Sequence, residues 1–287
     1  MEISHTSVVF KHRKAKVNDI RLHYVECGHG QPLVLLHGWP ETWYEWRYVM
    51  PMLADHFRVI AIDLRGFGDS DIAAQIGNEA TMIPDDILRL IDILGFKSVY
   101  VVGHDLGGLM AYAFTKLYPA RVKSLLLADT PLPLVGVEQP GWPEIQKNLW
   151  WQNFHRVPDI PEALVTRRER MYIGWHLKNN CVNSAAISSE DVDEYIRHYS
   201  GPGRLRASFA PGRSLDGLAQ RMQTEAVKSL EMPILFVGGE GSMNDILTDA
   251  AHKIGSHVAT AVAPDSGHYI AEENPTWLAE RILMMQR

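Results

Sequence analysis

The chain has 287 residues, of which 46% are hydrophobic and 22% are charged, and its formal net charge is −6. This length and composition are ordinary for a globular protein, fit one large α/β domain or one domain with an insertion, and provide ample chain to bury a core. The mild acidity argues against a nucleic-acid partner, and no apolar run approaches the roughly 18 residues that a membrane span requires. The two cysteines, Cys27 and Cys181, stand in no metal-binding or redox spacing, so we expect neither a disulfide framework nor a metal site.

The first residues, Met1 to Thr6, lack the basic start and the apolar stretch of a secretory signal. We therefore expect a cytoplasmic protein.

Strand and helix signals alternate along most of the chain. The predicted strands are residues 14–27 (a hairpin turning at 17–19), 31–36, 58–62, 98–102, 122–128, 233–237 and 257–262, and the predicted helices are 41–54, 81–94 and 109–117. Proline 84 is placed near the start of its helix. This order predicts a mostly parallel, twisted sheet with helices on both faces.

The stretch between Thr130 and about Leu215 breaks the alternation. It opens with several prolines and then becomes helical and aromatic. We predict a helical cap at residues 132–215, inserted into a core domain made of residues 1–131 and 216–287. Such a cap would cover the carboxyl edge of the sheet, where open α/β sheets place their binding sites.

A turn with the pattern glycine, any residue, nucleophile, any residue, glycine joins the predicted strand at 98–102 to the next helix. It reads Gly103-His104-Asp105-Leu106-Gly107 and has the form of a nucleophile elbow. The central residue is an aspartate, and a carboxylate attacks carbon electrophiles to form an ester that water then hydrolyses. Alone, the pattern also fits an ordinary strand–turn–helix connection with a solvated aspartate.

Several motifs together give the chain its resemblance to a known family. They are His37-Gly-Trp-Pro-Glu-Thr42, Asp63-Leu-Arg-Gly-Phe-Gly-Asp-Ser70, Gly103-His-Asp-Leu-Gly-Gly108, Ala128-Asp-Thr-Pro131 and Ser266-Gly-His268. Over nearly its whole length the chain resembles α/β-hydrolases of the epoxide hydrolase and haloacetate dehalogenase branch. The resemblance implies the α/β-hydrolase fold, an Asp105 nucleophile, a small-molecule substrate and no cofactor.

His268 is the candidate general base, because an imidazole that titrates near neutral pH can deprotonate the water that attacks the ester. The orienting acid is open between two loops: the resemblance favours Asp129, and Asp245 and Glu240 are the alternatives. The resemblance also implies an oxyanion hole made by the backbone N–H groups of Trp39 and Leu106. His104, beside the nucleophile, is expected only to pack.

Two leucines beside the nucleophile bear on the substrate. Leu106 and Leu109 stand where fluoroacetate-type dehalogenases carry arginines, and an apolar pair cannot bind a carboxylate. Haloalkane dehalogenases have a tryptophan at the position of Leu106. The sequence thus favours epoxide hydrolysis. A dehalogenase and a non-catalytic binding protein on the same fold remain the alternatives.

Related epoxide hydrolases hold the epoxide oxygen with a cap Trp-His pair or a tyrosine, and with a second tyrosine just before an arginine late in the cap. Here the first pair reads Trp150-Trp151 and the second reads Gly212-Arg213. We hypothesise that Trp151, together with Trp150, donates to the epoxide oxygen; the alternative is that both only pack. The tryptophans suit an apolar or aromatic epoxide. Should neither donate, the donor is expected among Tyr172, Tyr195 and Tyr199.

We expect the protein to be a monomer or homodimer.

Overall fold

Eight strands form one sheet in the computed structural model, which describes residues 8–130, 149–227, 229–242 and 253–286. The strands are β1 (Lys11–Val17), β2 (Ile20–Cys27), β3 (Gln31–Leu36), β4 (Phe57–Ile62), β5 (Val99–His104), β6 (Val122–Ala128), β7 (Ile234–Gly239) and β8 (Val258–Ala263). Their order across the sheet is β1-β2-β4-β3-β5-β6-β7-β8. The pairings of β1 with β2 and of β2 with β4 are antiparallel, and every pairing from β4 to β8 is parallel.

The helices of the described residues are α1 (Val49–Leu53), α2 (Glu79–Ile93), α3 (Asp105–Leu117), α4 (Trp150–Arg156), α5 (Ile160–Val165), α6 (Glu169–Asn179), α7 (Ser189–Arg197), α8 (Arg204–Arg213), α9 (Leu215–Glu225), α10 (Ile270–Glu273) and α11 (Pro275–Met284). Short 3₁₀ turns occupy Trp43–Arg47 and Pro119–Arg121. Within the described ranges, no helix is both long and apolar enough to cross a membrane.

The central strands are buried on both faces, and alternate residues supply two separate cores. Val34 and Leu36 of β3 pack into the cluster that contains α2 and α3. Their neighbours Leu33 and Leu35 pack into the cluster with α1 and α11 on the other face. The predicted alternation of strands and helices on a mostly parallel sheet is therefore confirmed.

The observed helices are longer or more broken than the sequence predicts. The segment 41–54 divides into a 3₁₀ turn and the short helix α1. The next predicted helix begins earlier, at Glu79, so Pro84 lies inside it rather than near its start. The third begins at Asp105 instead of Leu109, because Gly107 and Gly108 are helical where the strand and helix pack most closely.

The described part of the chain between β6 and β7 carries the helices α4 to α9 and lies over the carboxyl end of the sheet, where its residues line the cavities at Asp105. A buried ion-pair cluster ties it to the core: Arg47 lies 2.9 Å from Asp191 of α7 and 2.6 Å from Glu272 of α10. Tyr195 of α7 donates to the same Glu272 over 2.5 Å. The domain boundaries at 131/132 and 215/216 stay a prediction; the second falls next to Ser214, which separates α8 from α9.

Candidate active site

The turn from β5 to α3 is tight and strained. Asp105 has a φ of +46°, a left-handed conformation that is costly for a residue with a side chain. A Cβ on Gly107 would lie 2.3 Å from the carbonyl oxygen of Leu36, so only glycine allows this helix to approach β3. The strain is typical of a functional site, and it presents the carboxylate of Asp105 at the first turn of a helix.

Asp105 meets two of the other predicted site residues. Its Oδ2 accepts a hydrogen bond from the backbone N–H of Trp39 over 3.0 Å. Its Oδ1 lies 3.9 Å from Nε2 of His268. The side chains of Asp105 and His268 are 20% and 17% exposed, so both remain open to a substrate and to water.

Asp129 lies directly after β6 and is fully buried. Its Oδ2 lies 2.5 Å from Nδ1 of His268 and accepts from the hydroxyl of Ser242 over 2.7 Å. Its Oδ1 accepts from the backbone N–H of Gly239 over 3.3 Å. A carboxylate in this position can fix the imidazole tautomer that leaves Nε2 free to accept a proton.

Of the other candidate acids, Glu240 does not contact His268 and bonds elsewhere. The carboxylate of Glu240 accepts from the backbone N–H of Asp265 over 3.1 Å. Asp245 lies outside the described residues. Leu106, whose N–H the resemblance assigns to the oxyanion hole, is the second residue of α3 and lines the site. The roles of these residues stay predictions.

His104, expected only to pack, lies in a buried polar cluster instead. Its Nδ1 is 3.2 Å from Glu41 and 3.1 Å from Glu45, and its Nε2 is 2.9 Å from the carbonyl oxygen of His268. The two carboxylates raise the pKa of His104 against the opposing effect of burial, and burial raises the pKa of Glu41 to about 7. Among the described residues, this is the group whose ligand atoms could approach a common cation. We interpret it as an ion-paired support for the elbow and the His268 loop, because the imidazole already lies between both carboxylates.

Two cavities meet at Asp105. The smaller, of about 90 Å³, is lined by apolar side chains that include Leu106, Leu109 and Phe209. The larger, of about 480 Å³, also reaches His268. Trp39 and Trp151 line both.

The two tryptophans of the cap differ in position. Trp151 lines both cavities at Asp105. Trp150 is 45% exposed and packs against Trp175 and Phe154. The donor hypothesis stays a prediction: the ring of Trp151 lies beside Asp105, whereas the half-exposed ring of Trp150 is not among the side chains that line either cavity.

The three tyrosines named as fallback donors also divide. Tyr195 bonds to Glu272 and Tyr199 bonds to the backbone of Glu41, where the cap meets the core. Tyr172 instead lies in a wall of aromatic rings beside the cavities, formed by Trp39, Trp151, His155, Tyr172 and His176. Its hydroxyl is 2.7 Å from Nε2 of His155. Burial raises the pKa of Tyr172, and burial lowers the pKa of His155.

Two histidines in this wall were missed by the sequence reasoning. His155 lines the smaller cavity and His176 the larger one. A signal was present, because His155 follows Trp151 by four residues and His176 follows Tyr172 by four. Residues at this spacing share one face of a helix.

A family model described as "alpha/beta hydrolase fold" matches residues 31–275. The chain is 33% identical to the soluble epoxide hydrolase of Corynebacterium sp. strain C12, over 96% of this chain and 97% of that protein. Among solved structures, Cfl2 from Burkholderia cenocepacia superposes with a TM-score of 0.88 at 36% identity, covering 97% of this chain and 96% of that one. The epoxide hydrolase CorEH superposes with a TM-score of 0.86 at 33% identity, covering 96% and 98%.

Proposed function

The chain belongs to the α/β-hydrolase family, in its epoxide hydrolase branch, and we propose that it is an epoxide hydrolase that converts a small-molecule epoxide into a vicinal diol. The observation that carries the proposal is the continuous arrangement of Asp105, His268 and Asp129. A carboxylate on an elbow, an imidazole 3.9 Å away and a buried carboxylate behind that imidazole are the parts that a two-step ester mechanism needs.

In the first step, a carboxylate oxygen of Asp105 attacks a ring carbon of the epoxide. The C–O bond of the ring breaks and its electron pair leaves on oxygen, so an alkyl ester and an alkoxide form. An alkoxide is a poor leaving group unless hydrogen-bond donors hold it. The indole N–H of Trp151, whose side chain lines both cavities at Asp105, is the donor that we assign first.

In the second step, Nε2 of His268 takes a proton from water, and the resulting hydroxide attacks the carbonyl carbon of the Asp105 ester. The tetrahedral intermediate then collapses with cleavage of the ester C–O bond, and the departing oxygen takes the proton from the His268 imidazolium, so the diol is released. The carboxylic acid left at Asp105 releases its proton, which restores the carboxylate. Asp129 stabilises the imidazolium from the Nδ1 side. In this proposal the N–H groups of Trp39 and Leu106 stabilise the oxyanion of the tetrahedral intermediate, and the hydrogen bond from the N–H of Trp39 to Oδ2 of Asp105 supports the first of these roles.

The walls of the site suit an apolar or aromatic epoxide. Leu106, Leu109 and Phe209 line the smaller cavity. Arg156 is the cation that also lines it, but its side chain is 46% exposed and pairs with Asp216 over 3.0 Å. Among the described residues that line the two cavities, none is a buried cation that could bind a haloacid carboxylate. We further propose that the protein acts as a monomer or homodimer.

A substrate panel tests the function. Aryl and alkyl epoxides are incubated with the protein, and diol formation is followed by chromatography. Haloacetates and haloalkanes serve as competing substrates, with halide release as the readout. We expect diol from at least one aryl epoxide and none with Asp105→Asn, provided that mass spectrometry shows the asparagine amide intact.

Halide release without diol formation would favour a dehalogenase instead. Tight binding of epoxides without any turnover would indicate a non-catalytic homologue. Full diol formation by intact Asp105→Asn would remove Asp105 from the nucleophile role.

A further inference from the structure

His176 is a buried imidazole of the cap that lies beside the substrate cavity. Its side chain is 1% exposed, and its Nε2 has no hydrogen-bond partner among the described residues. The same side chain lines the larger cavity together with Asp105 and His268. Leaving a buried polar group unpaired is costly, so such a group at a cavity wall indicates an atom of a bound molecule that completes it.

Aromatic rings hold the imidazole in place. The ring centroids of Trp39, Trp151, Tyr172 and Trp175 lie 4.9, 5.0, 4.8 and 4.9 Å from that of His176, all with the ring planes nearly perpendicular. Edge-to-face contacts of this kind are favourable and fix the plane of the ring. His176 is therefore preorganised, as a group that stabilises a transition state has to be.

The surroundings also keep the imidazole neutral. Burial lowers the pKa of His176 to about 3, and the nearby His268 lowers it further. A neutral imidazole retains one N–H donor at neutral pH. It can polarise a substrate oxygen without placing a second positive charge beside the imidazolium that His268 forms in the hydrolysis step.

The site lacks one of the two hydrogen-bond donors that related epoxide hydrolases use. Gly212 stands where related epoxide hydrolases carry their late cap tyrosine, and it offers no side chain. A Cβ built on Gly212 would meet no atom of the described residues within 4 Å, so these residues leave the position open. Of the two usual donor positions, the late cap position therefore has no donor, and the earlier one is filled at the cavity by Trp151.

We propose that His176 is a catalytic residue of the ring-opening step, in which its N–H donates to the epoxide oxygen as the second donor beside Trp151. The inference rests on the proposed epoxide hydrolase function. As Asp105 forms its bond to the ring carbon, the ring C–O bond breaks and negative charge develops on the oxygen that His176 contacts. The alkoxide then takes a proton from a cavity water, and the hydroxide so formed is neutralised by the proton that ester hydrolysis releases.

The test measures alkylation and hydrolysis separately. In a His268→Gln background, where the ester persists, the rate of adduct formation with an aryl epoxide is followed by rapid quench and intact-protein mass spectrometry. We expect His176→Phe to slow alkylation on the order of 10²-fold. His176→Gln, which keeps a neutral N–H donor, should retain a larger part of the rate. With native His268, the hydrolysis of preformed ester should be nearly unchanged in both.

A rescue variant separates donation from packing. Gly212→Tyr places a phenol in open space on the wall of the smaller cavity, at Asp105. In the His176→Phe background we expect it to recover a substantial part of the lost alkylation rate, because a donor is replaced from another side of the site. A packing defect around position 176 would not be repaired there.

The possible failures have different meanings. Wild-type alkylation in His176→Phe, or a loss confined to Tyr172→Phe or Trp39→Phe, would overturn the role of His176. Should His176→Phe fail to fold, His176→Leu decides in the same way. No adduct at all in the His268→Gln protein with His176 intact would refute the proposed function itself.

Discussion

Replacing Asp129 with asparagine would test the link between the buried acid and His268. Oδ2 of Asp129 accepts from both His268 and Ser242, and Oδ1 accepts from the backbone N–H of Gly239. An asparagine keeps the shape but has one acceptor oxygen and one NH₂ group. If the oxygen faces His268, the NH₂ meets the N–H of Gly239; if it is turned, the NH₂ meets His268 and Ser242. In either orientation the new NH₂ donor faces another donor, and no charge remains to stabilise the imidazolium.

The expected loss is large and confined to one step. The same change in a Ser-His-Asp enzyme lowers the rate on the order of 10⁴-fold, roughly 5 kcal/mol, and we expect a similar loss in hydrolysis of the Asp105 ester here. Alkylation should change only a few-fold, because it does not need His268 to accept a proton. The variant should therefore accumulate one covalent adduct per chain, visible by intact mass within the first turnover.

Matched variants define the comparison. Ser242→Ala removes one hydrogen bond to Asp129 and should cost about 1 kcal/mol or less in the same step. Glu240→Gln, whose carboxylate contacts the backbone of Asp265, should cost little. Steady-state turnover of Asp129→Asn within tenfold of the wild type, or a larger loss in Glu240→Gln, would refute the assignment of the acid.

Three further changes have definite outcomes. Trp151→Phe should slow alkylation on the order of 10²-fold and spare ester hydrolysis, with a much smaller effect for Trp150→Phe; equal rates in both would mean that the indoles only pack. Gly212→Ala should raise the free energy of unfolding in urea by up to about 1 kcal/mol, because the new methyl meets open space on a helix; a decrease would contradict this. His176 binds a proton less readily in the folded protein than in the unfolded chain, so the wild-type free energy of unfolding should fall, relative to His176→Phe, as the pH drops from about 6.5 towards 3; a difference independent of pH between 7.5 and 4.5 would contradict it.

Local patterns allowed much of the fold and the elbow to be predicted. The buried strands at Gln31–Leu36 and Val122–Ala128 match their predicted bounds, because short apolar runs between turn residues are typical of strands buried on both faces. The start of α3 was missed because Gly107 and Gly108 have low helix propensity. Their reason for being there is the approach of β3 and Thr130, which local sequence does not show.

The cap wall could not be predicted in the same way. The positions of Trp150 and Trp151 depend on which face of α4 turns towards the core, and only one of these neighbours lines the cavities. His176 lies in a helix that contains both charged and aromatic residues, and its burial arises from packing against Trp39 of the core. The buried role of His104 likewise depends on Glu41 and Glu45, about sixty residues away in the chain.

A single turnover in H₂¹⁸O tests the covalent mechanism most directly. With the protein in excess over the epoxide, attack by Asp105 followed by hydrolysis at its carbonyl carbon predicts that the first diol carries no ¹⁸O. The label should instead appear in the tryptic peptide that contains Asp105. A first-turnover diol that carries ¹⁸O, with Asp105 unlabelled, would show that water attacks the epoxide directly and would contradict the account.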